Sequence, residues 1–157
     1  KADIDNETHR KNLHNTLTKL LELNTIPVIN ENDSVANEEF YIGENDSLAA
    51  LISANIDADL VILLSDIDGL FTADPHKDKN ATLIKEVKEI TPEVMALAGG
   101  AGSSLGTGGM ATKLRAAQIA LDAGIDMVIS NGTNPEILYD IVDGKEVGTR
   151  FIAGGKK

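Results

Sequence analysis

The chain has 157 residues, enough for one ordinary domain, and its 42% hydrophobic and 25% charged residues are those of a protein with a core. Lys plus Arg number 14 against 25 Asp plus Glu, for a net charge of −11 and a pI near 4.6. That balance argues against a phosphate-backbone binder and an acidic membrane surface. Without Cys, a disulfide framework and a thiolate metal site are both excluded, and 3% aromatics is too few for a base-stacking platform.

Leu13, Leu17, Leu20 and Leu21 recur at helical spacing and predict a helix over 7–23, stopping at Asn24. Ile26 to Ile29 is a short apolar run holding Pro27, read as a strand start or an edge strand. Residues 31–46 form a long polar loop, with a small hairpin expected around Phe40-Tyr41-Ile42; loops of that length are usually functional. A helix follows over Asp46 to Ile56, with Asn45 placed to cap it. Leu60 to Leu64 is apolar without alternation, as in a strand buried on both faces. Residues 65–82 are a loop with a turn at Asp74-Pro75, and Pro92 to Leu97 is a short helix. The glycine-rich stretch 99–109 leads into a helix from Met110 to Ala123, ended by Gly124. Met127 to Ile129 is a second buried strand, Pro135 to Val142 a helix, and Arg150 to Ala153 a last strand.

Strands alternating with helices predict a parallel sheet covered on both faces, an α/β/α sandwich. No repeat or linker divides it, so one domain is expected. The longest uncharged run, Val94 to Thr112, is glycine-rich and reads as a loop rather than a membrane span. No signal-like segment opens the chain, and with no Cys a cytoplasmic location is expected.

Ligands of open α/β sheets bind beyond the carboxyl ends of the strands. The segments there are Asn30-Glu31-Asn32-Asp33, Ser65-Asp66 and Ser130-Asn131-Gly132, all polar. The glycine stretch running into a helix offers backbone N–H groups to an anion. Lys113 falls in that helix's first turn, where the helix field disfavours a cation, so an anion is expected beside it. No Walker A string is present. Gly106-x-Gly108-x-x-Ala111 matches the loose dinucleotide pattern but lacks the strand that must precede it. Asp66-x-Asp68-Gly69 lacks the rest of a calcium ladder. His9, His14 and His76 show no ligand spacing and are expected at the surface, so the protein supplies no metal site of its own.

Four strings occur in order: Asn30-Glu31-Asn32-Asp33; Gly43-Glu44-Asn45-Asp46-Ser47-Leu48; Leu64-Ser65-Asp66-x-x-Gly69-Leu70-Phe71-Thr72-Ala73-Asp74-Pro75; and Gly106-Thr107-Gly108-Gly109-Met110-Ala111-Thr112-Lys113. Together they resemble the glutamate 5-kinases, a branch of the amino acid kinase superfamily. The resemblance implies a three-layer fold with a mainly parallel sheet and transfer of the ATP γ-phosphate to the side-chain carboxylate of L-glutamate. The product would be glutamyl 5-phosphate, the first intermediate of proline synthesis. By position, Asn30, Asp33 and Asn45 would hold glutamate, and Asp46 would organise catalytic lysines. Ser65 and Asp66 would contact the nucleotide. Thr107, Gly108, Gly109, Met110, Ala111, Thr112 and Lys113 would cradle its phosphates, with Lys113 stabilising charge on the transferring group. ATP would bring Mg²⁺ with it, and a homo-oligomer is expected. The family's opening strand, with its Lys and Gly-Ser turn, has no counterpart here. Residues 1–157 are therefore expected to be the C-terminal part of one kinase domain, inactive by itself. The other readings are a non-catalytic nucleotide-binding module, or a superfamily kinase acting on aspartate, acetylglutamate or a nucleotide. Asp33 favours a substrate with a free amino group.

Overall fold

The computed structural model describes residues 7–30, 45–98 and 109–154. The predicted hairpin at Phe40-Tyr41-Ile42, the candidate ligand Asp33, and the glycine stretch with Thr107 and Gly108 lie outside the described residues. In chain order the elements are α1 (Glu7–Glu22), α2 (Asn45–Asn55), β1 (Leu60–Ser65), β2 (Glu86–Val87), α3 (Pro92–Leu97), α4 (Met110–Asp122), β3 (Asp126–Asn131), α5 (Ile137–Val142) and β4 (Thr149–Phe151). The helix starts follow from local chemistry. Pro92 opens α3 while the Thr91 hydroxyl accepts from the Val94 N–H at 3.3 Å.

The strands form one sheet in the order β1-β3-β4-β2. β1 and β3 are parallel, in register from Leu60 opposite Asp126 to Ser65 opposite Asn131. β4 runs antiparallel to β3, and β2 parallel to β4. The sheet is therefore mixed, where periodicity alone predicted a parallel one. Length explains the reversal. The six residues of α5 rise about 9 Å, whereas the six of β3 span about 20 Å. So short a helix does not carry the chain back to the start of β3, and β4 begins beside Ile129 and runs the other way. Gly148 makes the approach possible: its φ is +64°, and a Cβ there would lie 2.0 Å from the Ile129 carbonyl oxygen.

Val61, Leu63, Met127, Ile129, Val87 and Phe151 point to one face, where they pack with Ala50 of α2 and with Leu114, Ala116, Ala117 and Ala120 of α4. Val128 points to the other face and lines one cavity with Ile141 of α5. Helices on both faces make the predicted three layers.

Two further expectations change, and one strand was not expected. The apolar run Ile26 to Ile29 is no strand; Ile26 is 86% and Val28 95% exposed, and among the described residues no ladder partners them. β2 is too short, and too polar at Glu86, to show in the sequence. His14 is half-buried, its Nδ1 2.6 Å from the Asn55 carbonyl oxygen at the end of α2.

The predicted loop 65–82 holds a hairpin, with the Ile84 N–H donating to Leu70 O at 2.8 Å and the Thr72 N–H to Thr82 O at 2.9 Å. Thr149, fully buried, welds its base to β4. Its hydroxyl accepts from the Leu70 N–H at 2.8 Å and donates to Ile84 O at 2.6 Å. At the tip Asp74-Pro75 turns the chain as predicted, and the His76 N–H donates to the Asp74 carboxylate at 2.9 Å. That bond holds the Asp74 carboxyl below its ordinary range.

Candidate functional site

α2 leads into β1, and α4 into β3, through connections of a few residues. Each helix therefore runs back along its strand and starts at the edge where the strands end. Asn45, Asp46, Thr112, Lys113, Ser65 and Asn131 all come from these ends. The alanines between α2 and α4 let the two helices approach closely, which brings the first turns together.

There the Lys113 ammonium sits 3.1 Å from Asp46 Oδ2, and the Thr112 hydroxyl donates to the same oxygen at 2.8 Å. That hydroxyl is also 2.8 Å from Gly109 O. Lys113 is only 7% exposed, and Thr112 is buried as well. Asp46 suits the start of α2, where helix dipoles favour an anion, whereas Lys113 is opposed by the field of α4. The anion expected beside Lys113 is thus supplied in part by the protein itself. Asn45 Nδ2 donates to Asn30 Oδ1 at 3.0 Å, so two of the predicted glutamate residues lie together beside Asp46. Ser65 ends β1, its hydroxyl 3.1 Å from the exposed Asp66 carboxylate. Gly109 stands at the N-cap of α4, and Met110 and Ala111 are half-buried in its first turn. Among the described residues no group of three or more His, Asp or Glu could hold a metal ion.

A profile of the Amino acid kinase family matches residues 1–131. The chain belongs to the amino acid kinase family. It is 49% identical over 154 residues to the glutamate 5-kinase of Clostridium perfringens and 50% identical over 153 residues to that of Clostridium tetani. These matches take in 96% and 98% of the chain but 57% of each relative, so the chain spans little more than half their length. The amino acid kinase fold is shared with the crystal structure of UMP kinase from Bacillus anthracis, with a TM-score of 0.66 and 16% identity. That likeness covers 90% of this chain and 52% of the other. No described helix is long and apolar enough to cross a membrane.

The contacts of Asn131 at this edge of the amino acid kinase domain escaped sequence reasoning. Asp68, read as a remnant of a calcium ladder, accepts from Asn131 Nδ2 at 2.9 Å, and Thr133 donates to the same asparagine through its N–H and its hydroxyl. Asn131 lies in a segment marked as polar, but nothing in that pattern names its partner.

Proposed function

We propose that the protein transfers the γ-phosphoryl group of Mg-ATP to the side-chain carboxylate of L-glutamate. The observation that carries this reading is the ion pair of buried Lys113 with half-buried Asp46 at the strand ends, beside Asn30 and Asn45. A buried ion pair contributes little to stability, because desolvation offsets the attraction. Its presence at a helix start that opposes the cation points to use instead. Similarity to glutamate 5-kinases over nearly the whole chain supports glutamate as the substrate.

In this reading a glutamate carboxylate oxygen attacks the γ-phosphorus, the bond to the β-phosphate oxygen breaks, and ADP leaves. Asn30, Asp33 and Asn45 hold glutamate, with Asp33 answering its ammonium. Ser65, Asp66 and the run from Thr107 to Lys113 take the nucleotide, which carries its Mg²⁺ as part of the substrate. Asp46 aims Lys113, and Lys113 neutralises charge on the transferring group. The glutamyl 5-phosphate formed feeds proline synthesis, a cytoplasmic reaction between soluble substrates. Association of like chains belongs to the same reading, and light scattering on the native full-length polypeptide measures it.

The test is ADP release by the native full-length polypeptide with glutamate, aspartate and N-acetylglutamate, with hydroxylamine trapping the acyl phosphate. Turnover with glutamate alone is expected; turnover that ignores the free amino group overturns the substrate. Asp33→Asn is expected to weaken glutamate by about 1.5–3 kcal/mol, the scale of a hydrogen bond to a charged group. ATP should be affected less, as the two KM values will report.

A further inference from the structure

At the strand ends the chain runs close to itself. Gly132 N–H donates to Ser65 O at 2.8 Å, and a Cβ on Gly132 would lie 2.8 Å from Leu64 Cβ. Beyond that backbone bond one side chain joins the loop after β1 to the loop after β3. Asn131 Nδ2 donates to Asp68 Oδ1 at 2.9 Å, while Asn131 Oδ1 accepts the Thr133 N–H at 2.9 Å and the Thr133 hydroxyl at 2.6 Å. The amide has only one orientation here, because a backbone N–H can only donate and an ionised carboxylate can only accept. Asp68 lies two residues after Asp66, so the bond that holds Asp68 restrains the turn that carries Asp66, while Ser65 is also held by its backbone bond to Gly132.

We propose that Asn131 is a positioning residue for the nucleotide: it fixes the Ser65–Asp66 turn through Asp68 without touching the ligand. This rests on the reading that Ser65 and Asp66 receive the nucleotide. The chemistry demands an amide. A carboxylate at 131 keeps both Thr133 bonds but faces Asp68 with a like charge. An apolar side chain leaves Asp68 and the Thr133 N–H without their partner.

The experiment compares wild type, Asn131→Asp, Asp68→Asn and the double variant in the native full-length polypeptide. The measurements are kcat, the KM for Mg-ATP and for glutamate, and amide exchange over residues 65–70 with and without ADP. Asn131→Asp is expected to raise the Mg-ATP KM about tenfold, or about 1.4 kcal/mol, with the glutamate KM and kcat unchanged. Asp68→Asn should stay near wild type, because the amide oxygen placed there still accepts from Asn131. The double variant should return to wild type, since donor and acceptor have traded places. Damage by Asp68→Asn equal to that of Asn131→Asp overturns the proposal, because Asp68 would then meet the ligand itself. Failure of the double variant to recover overturns it too, as does an equal loss for both substrates. Wild-type protein in which ADP leaves exchange over 65–70 unaltered sinks the nucleotide reading beneath it.

Discussion

Lys113 occupies a position that three effects should make unfavourable: it is buried, it is charged, and it stands at the positive end of a helix. The Asp46 carboxylate offsets all three, and Thr112 shares that carboxylate. Lys113→Ala is expected to lower kcat of the full-length enzyme by roughly 10²–10³, the scale for losing one preorganised transition-state donor. Stopped-time ADP release checks this, with circular dichroism confirming the fold. Thr112→Val should cost about 1 kcal/mol of stability, the usual net worth of one hydrogen bond, and Thr112→Ser should restore it in urea titrations. At this scale the sequence was legible in part. Asp46 and Lys113 stand in strings that mark them as chemical. Their contact spans 67 residues, and no local pattern reports it. The Asn131–Asp68 bond is harder still, because Asn and Asp in turns are ordinary turn formers and only the fold shows which of them meet.

Between elements, the contact that matters is α2 on α4. Ala50 and Ala117 are fully buried in that seam. Ala117→Leu is expected to destabilise the domain by about 1–3 kcal/mol through overpacking. It should also lower kcat, since the helix starts carry Asp46 and Lys113; the midpoint of urea unfolding and the turnover rate should fall together. Gly148→Ala should be worse, for a side chain there meets the Ile129 carbonyl and takes up a strained φ. A thermal midpoint unchanged by that substitution would mean β4 does not need the approach. The helices, β1 and β3 were legible because their apolar residues repeat at helical spacing or stand in unbroken runs, Leu60 to Leu64 and Met127 to Ile129. Pairing was not. The run Ile26 to Ile29 has strand composition but no ladder among the described residues, and the direction of β4 depends on how short α5 is.

Over the whole molecule the net charge of −11 acts as self-repulsion. Added monovalent salt should therefore raise the thermal midpoint, as screening shortens to about 8 Å near physiological ionic strength; a midpoint that falls would show that ion pairs outweigh repulsion. The chain spans 57% of the Clostridium perfringens glutamate 5-kinase, and its described residues offer one buried cation at the strand ends. Made alone, the 157-residue chain is expected to show turnover far below that of a relative of full length, measured by ADP release. The Thr149 hydroxyl sets a further condition, one of timing. Leu70 and Thr149 are 79 residues apart, so on the ribosome the hairpin emerges well before the group that will hold its base. Until β4 arrives, the Leu70 N–H has only water. In pulsed hydrogen exchange its protection should appear in the same step as that of Arg150, whose N–H donates to Lys85 O. β4 then decides when the hairpin, and the Ser65 edge it springs from, takes its working shape.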